Sequence, residues 1–389
     1  MRVLHVCRAF SPLSQTFVYD YVTELKRQGV ESPVLTARRV NEEERPHEPI
    51  HVVPSPSRWH PERLVRRVLA EIQERPPVSS YWAPHRRRIQ PVVTSASPDV
   101  VHTHFGPQGC MVAPVASALN CPLVVTFYGF DVSELARKPT WQREYKRLWS
   151  TVRRVTVLSA EMKERVVELG CPREIVEVIH LSRDLSHFTF SPPNAPIRRF
   201  LSVGRLTEKK GHFTALRALK KVRDIGHDIQ LDIVGEGPLQ AEIESFIQEQ
   251  GLNEAVRLHG AVPNQQVLTM MENADAFLLC SETSPSGDKE GTPTVLIEAQ
   301  AMGLPCVTTR HAGIPEMIPR GNHFLLAEEG VVEQVARCIE DIVSLETREL
   351  SEVSERGQEK IQSEFSLSSE VSKLIKLYSV VKRDGKVRL

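Results

Sequence analysis

The segment Val203-Gly204-Arg205-Leu206-Thr207-Glu208-Lys209-Lys210-Gly211-His212 leaves an apolar strand, turns at Gly204 and enters a helix near Gly211. Ligands of doubly wound sheets sit beyond the carboxyl ends of strands. A helix N-terminus at that place offers free N–H groups and a positive dipole end to an anion. Arg205 and Lys210 flank the position and could grip one phosphate pair, although the same residues would suit a surface loop with incidental charges. A second constellation is Glu290-Gly291-Thr292-Pro293-Thr294-Val295-Leu296-Ile297-Glu298. Thr292 reads as an N-cap and Pro293 as the first helical residue. Glu290 then precedes the helix and Glu298 lies on its second turn, where two carboxylates can accept hydrogen bonds from sugar or ribose hydroxyls. Glu290 could instead merely complement the helix dipole. Glu298 is harder to dismiss as a solvated residue, because it interrupts an apolar run in which an idle carboxylate is costly.

Other signals are weaker. Val234-Gly235-Glu236-Gly237-Pro238 has two glycines of a dinucleotide fingerprint, but Gln240 stands where the third belongs. The chain has no Asp-x-Asp pair and no histidine group at metal-ligand spacing, so no metal is expected. Phosphate charge would be met by Arg205, Lys210 and backbone dipoles. Seven scattered cysteines without a C-x-x-C pair suggest a reducing, cytoplasmic setting rather than a disulfide framework.

The elements that must position these residues alternate. Strand-like runs at 3–6, 33–36, 51–53, 99–102, 123–127, 154–158 and 176–180 are separated by helix-like stretches such as 15–27, 109–119 and 161–169. After a proline-rich seam at 190–196 the alternation restarts. Strands are expected at 200–203, 230–234, 256–259, 276–279, 306–309 and 324–326, and helices at 211–222, 238–250, 265–272, 293–302 and 331–344. This order implies parallel βαβ units in an α/β protein. A chain of 389 residues, 41% hydrophobic and 25% charged, suits two such domains and excludes disorder, collagen and coiled coil. No apolar run nears the roughly 18 residues of a membrane span. The start, MRVLHVCRAF, reads as a first strand rather than a signal peptide. Domains are expected at 1–190 and 191–365, with a closing amphipathic helix in 366–389.

The net charge of zero is a cancellation. Residues 1–190 hold 26 Lys+Arg against 20 Asp+Glu, and the remainder 23 against 29. Residues 58–88 concentrate Arg58, Arg63, Arg66, Arg67, Arg75, Arg86, Arg87 and Arg88, with Trp59, Tyr81 and Trp82 among them. Two readings stand: a basic amphipathic helix resting on an anionic membrane surface, or a solvated helix face. Nucleic acid is not expected, because no binding motif accompanies the charge.

In order and spacing, VGRLTEKKG, IVGEGP, LHGAVP, EGTPTVLIEA-AMGLP and TTRHAGIPE resemble the retaining glycosyltransferases of family 4. The subgroup is that of bacterial exopolysaccharide, capsule and O-antigen assembly. The N-terminal SPLSQTF, DVVHTHFG and VVTFYGFDVS point more diffusely to the same group. The resemblance implies the GT-B fold: two doubly wound Rossmann-like domains facing across a cleft, with the C-terminal helix crossing back to the N-terminal, acceptor-side domain. It also implies metal-independent, retaining hexosyl transfer from a nucleoside-diphosphate sugar, with UDP as the nucleotide, to a saccharide or lipid-linked saccharide acceptor. The enzyme would then be cytoplasmic or peripheral on the inner membrane face, with no cofactor. By the same resemblance Arg205 and Lys210 hold the diphosphate, Gly204 shapes their loop, and Glu298 takes the ribose. Glu290 contacts hydroxyls of the donor sugar as a catalytic residue, the N–H groups of Gly291, Thr292 and Thr294 near Pro293 face phosphate, and Val262 meets the base.

Two positions depart from the family. Glycines of the first strand–helix loop are replaced by Ser11-Pro12-Leu13-Ser14-Gln15, leaving Ser14 or Gln15 for donor or acceptor. Tyr128 stands where many members have histidine. With an ordinary pKa of about 10, Tyr128 is a poor base, and Asp131 is the better acid/base candidate. His104 is placed on the acceptor side, where a structural role is the commoner one. A nucleotide-binding scaffold without turnover and a GT-B nucleotide-sugar epimerase remain alternatives.

Overall fold

A computed structural model describes residues 1–12, 16–55, 61, 65 and 83–386, with side chains through Arg383. Ser14, Gln15 and the arginine-rich stretch at Arg58, Trp59, Arg63, Arg66, Arg67, Arg75, Tyr81 and Trp82 lie outside the described residues. The chain divides into two compact units, residues 1–181 with 367–389 and residues 182–366.

In unit 1, strands β1 (Val3–Cys7), β2 (Val34–Thr36), β3 (Ile50–Val52), β4 (Val100–His104), β5 (Leu123–Thr126), β6 (Arg154–Val157) and β7 (Val176–Val178) form one sheet. Its order is β3-β2-β1-β4-β5-β6-β7, all parallel. Helices α1 (Thr16–Arg27), α2 (Ala83–Ala96), α3 (Gly106–Ala118), α4 (Pro139–Trp149) and α5 (Ala160–Glu168) make the crossovers. Every residue of β1 and β4 is buried, as expected of strands in a parallel sheet covered on both faces.

Unit 2 repeats the plan with β8 (Arg199–Val203), α6 (His212–Asp224), β9 (Gln230–Val234), α7 (Gln240–Glu249), β10 (Val256–Leu258), α8 (Asn264–Asn273) and β11 (Ala276–Leu279). It continues with α9 (Thr294–Ala301), β12 (Cys306–Thr309), α10 (Ile314–Met317), β13 (Leu326–Ala327), α11 (Val332–Val343) and α12 (Thr347–Glu364). The parallel order is β10-β9-β8-β11-β12-β13. The strand order reverses between the parallel neighbours β8 and β11, so their carboxyl ends open at the switch point where such sheets take ligands.

The last helix, α13 (Leu367–Lys386), belongs to unit 1. Val371, Leu374, Tyr378 and Val381 line its buried face, and Lys382 pairs with Asp99 at 2.8 Å. Including α13, unit 1 holds 31 Lys+Arg against 21 Asp+Glu, and unit 2 holds 18 against 28. Among the described residues no helix is long and apolar enough to cross a membrane.

The boundary falls before the proline-rich seam at 190–196, because residues 182–196 pack on unit 2. The Arg183 N–H donates to the Phe365 carbonyl at 3.3 Å and the Ser191 N–H to that of Met302 at 3.0 Å. The strand expected at 324–326 begins only at Leu326. Phe324 lies in a 3₁₀ turn, Arg320–Leu325, and is 39% exposed. Helices α2, α4, α10 and α12 were not among the stretches named from the sequence. α12 buries Leu350, Val353, Gly357 and Ile361, too sparse an apolar stripe to stand out among its charges.

Candidate active site

The loop after β8 is held at close range by glycines. Gly211 has φ +63°, and a Cβ there would sit 1.7 Å from the Cys280 carbonyl oxygen at the end of β11. A side chain would therefore be excluded by backbone as well as by conformation. Residues Glu208–Lys210 form a 3₁₀ turn before it, and His212 Nε2 donates to the Arg205 carbonyl at 3.1 Å. The stem of Lys210 crosses Gly204, where a Cβ would meet its Cε at 3.2 Å. This directs the ammonium toward the second constellation.

Lys210 Nζ lies 3.1 Å from Glu290 Oε1, with both side chains almost buried, at 13% and 10% exposure. Burial pushes the Glu290 carboxyl up, but Lys210 and Lys209 together outweigh it and hold the pKa below the ordinary value. Lys209 pairs with Asp288 at 2.9 Å. Arg205 is exposed on the same loop. Three cations therefore gather at the carboxyl ends of β8 and β11, two of them balanced by acids.

The second constellation differs in detail from its sequence reading. Helix α9 begins at Thr294, one residue late; Pro293 is its N-cap, and no side chain, Thr292 included, caps it. Glu298 sits on its second turn and pairs with Arg183 at 3.0 Å, at 12% exposure. Its place in an apolar run is thus explained by a partner that nothing in the sequence had marked. Val262, in the loop beyond β10, is half-buried against the core.

His311, which sequence reasoning passed over, is fully buried behind Glu290. The Glu290 backbone N–H donates to His311 Nε2 at 3.1 Å, and His311 Nδ1 lies 2.5 Å from Glu329 Oε2. Only the neutral Nδ1–H tautomer satisfies both contacts. The motif TTRHAGIPE carried the signal, but its partner Glu329 comes from the next strand's exit.

The remaining candidates lie in unit 1. Asp131 is fully buried, and its carboxylate accepts N–H groups from Gly106 at 2.9 Å, Tyr128 at 3.0 Å and Gly129 at 3.1 Å. Burial pushes its pKa up to about 6 against the pull of those donors. This corrects the acid/base assignment: the carboxylate fastens the start of α3 to the turn after β5 and presents no oxygen to solvent. The Tyr128 hydroxyl bonds His104 Nδ1 at 2.6 Å. Burial raises the Tyr128 phenol well above its ordinary range, which keeps the hydroxyl protonated in its contact with His104.

His104 belongs to a cluster that the sequence concealed. His5 on β1 and His102 on β4 are register partners, and His104 follows two residues on. One nitrogen from each ring lies within 4.8 Å of the others, close enough to surround a metal ion. His5 Nδ1 is 3.2 Å from His104 Nε2, while His102 bonds Tyr378 at 2.5 Å and Thr126 at 2.6 Å. Five of the six ring nitrogens are thus engaged, and His5 Nε2 is the sixth. Burial lowers all three pKa values, that of His104 to about 3. No histidine group at metal-ligand spacing was expected from linear order, and the fold brings these three rings together. The short spacing arises from strand pairing, which linear order does not display.

Comparison with known proteins agrees with this architecture. Residues 189–360 match the family described as "Glycosyl transferases group 1", and residues 14–182 match "Glycosyl transferase 4-like domain". WcaL of Escherichia coli strain K12, whose name assigns it to colanic acid biosynthesis, is 32% identical over 71% of this chain and 69% of its own length. The amylovoran biosynthesis glycosyltransferase AmsK of Erwinia amylovora is 30% identical over 67% of both chains. The crystal structure of Anabaena HepE with UDP and glucose superposes with a TM-score of 0.76 at 17% identity, covering 98% of this chain and 100% of HepE. The two units are those of the GT-B fold, and the chain belongs to the group 1, family 4-like glycosyltransferases.

Proposed function

We propose that the chain transfers a sugar from a UDP-sugar, with retention of anomeric configuration, to a saccharide or lipid-linked saccharide acceptor in bacterial exopolysaccharide assembly. The observation that carries this reading is the Lys210–Glu290 pair, set at the switch point of unit 2 beside Arg205. Relatives named for colanic acid and amylovoran biosynthesis support the pathway class. Neighbours of the same fold solved with UDP, with UDP-glucose, or with UDP and glucose support the donor class. All seven cysteines are free, and six are buried, which fits a reducing compartment.

The chemistry follows from charge placement. Departure of the diphosphate builds negative charge on its oxygens. Arg205, Lys210 and the N–H groups of Gly291, Thr292 and Thr294 at the start of α9 stabilise that charge without a metal. An ammonium has three donors, so Lys210 can keep Glu290 oriented while meeting phosphate. Glu290 accepts a hydroxyl of the donor sugar, and the leaving diphosphate takes the acceptor's proton.

The test is incubation with a panel of UDP-sugars and saccharide acceptors, followed by proton NMR of the anomeric signal. An α-linked product from an α-linked donor is expected, and it should vanish with Glu290→Ala. Inverted product, or undiminished turnover by that variant, would sink the proposal. Glu298→Gln tests the ribose contact separately. It should raise KM for the donor about tenfold with kcat nearly unchanged, the mark of a contact equal in ground and transition states. A fall in kcat at constant KM would remove Glu298 from that role.

A further inference from the structure

The loop of residues 281–290, between β11 and α9, is tied down at both ends by one carboxylate. Glu329 Oε1 accepts the Thr283 hydroxyl at 2.9 Å. Its Oε2 receives the His311 ring, whose other nitrogen receives the Glu290 N–H. We infer that His311, oriented by Glu329, is a positioning residue for Glu290, fixing the backbone from which the donor-sugar carboxylate projects. This rests on the role proposed above for Glu290.

Two further observations favour a working contact over incidental core packing. Lys210 holds Glu290 by its carboxylate, so without His311 the peptide behind it could rotate while the ion pair persisted. The residue after His311, Ala312, adopts φ +46°, a left-handed conformation that strains a non-glycine residue. The chain accepts this strain at the turn that carries the imidazole.

Glutamine can replace the ring's function, because its amide offers one acceptor toward Glu290 N–H and one donor toward Glu329. His311→Ala offers neither. Misplacing a reacting-centre contact by about 1 Å can cost up to about 100-fold. His311→Ala should accordingly lower kcat by about 10- to 100-fold, with UDP affinity within about threefold of the parent chain. His311→Gln should recover most of that loss.

Independently of activity, ¹⁵N NMR of the histidine rings in the full chain should show His311 as the neutral Nδ1–H tautomer, shifted toward a mixture in Glu329→Ala. The inference is overturned by an Nε2–H tautomer or an imidazolium at neutral pH. It is overturned equally if Ala and Gln variants are impaired alike, or if UDP affinity falls in step with kcat. If the parent chain neither binds UDP nor turns over any UDP-sugar, the functional reading fails. The ring spectrum still decides whether the His311 clamp exists.

Discussion

Lys210→Ala is expected to abolish sugar transfer and to destabilise the chain by about 3–5 kcal/mol, the cost of leaving a buried charge without its partner. The geometry forces both effects. Glu290 is nearly inaccessible, and Lys210 with Lys209 outweighs its burial and holds its carboxyl below the ordinary range. Removing both partners separates the two consequences. Lys210→Met/Glu290→Leu fills similar volume with apolar atoms and should restore most of the stability, yet it should remain inactive because both site groups are gone. Urea midpoints and turnover measured on the same samples read the two effects side by side. An active double variant would dismiss the site assignment. The pair also sets an acid limit. The folded pKa of Glu290 lies below the ordinary 4.5, so its stabilising contribution is complete above about that pH and disappears as pH falls through the folded value. The double variant should lose this part of the acid sensitivity.

Asp131→Ala is expected to be as damaging to the fold and for a different reason. Three N–H groups, the buried ones of Gly106 and Gly129 and the part-buried one of Tyr128, lose their charged acceptor. Each such loss is worth about 1–3 kcal/mol, so a total of about 3–9 kcal/mol is expected, read as a lowered urea midpoint. Asp131→Asn should be milder, since one amide oxygen still serves Tyr128 and Gly129 while the NH₂ group confronts the Gly106 N–H. A catalytic Asp131 would behave in the opposite way: the Asn variant would keep its midpoint and lose turnover.

The contrast between these residues shows what linear order can carry. The placement of Arg205, Lys210, Glu290 and Glu298 was legible because glycine and proline mark strand exits and helix starts. The α/β order then places those exits at a switch point. Asp131 was misread because a carboxylate after Gly129 resembles an exposed loop acid, and only the fold reveals the three donors around it. His5, His102 and His104 meet through the β1–β4 pairing, a register that crosses almost 100 positions and leaves no local trace. Arg183 and the His311–Glu329 contact arise in the same way, from chain segments that pack beside α9 or leave adjacent strands. The strand order itself follows from alternation and right-handed crossovers. The allocation of α13 to unit 1 does not, because amphipathic spacing tells which face is buried but not against what.

Calorimetric titration of UDP into the full chain in the presence of EDTA addresses the donor site most directly. Saturable binding with a dissociation constant of about 1–100 μM is expected, worth roughly 5–8 kcal/mol. It should weaken by at least about tenfold in Arg205→Ala and again in Lys210→Met/Glu290→Leu, in keeping with charge-assisted contacts to phosphate. Absence of binding without a divalent metal, or equal affinity in the parent chain and both variants, would contradict a metal-independent diphosphate site built on these residues.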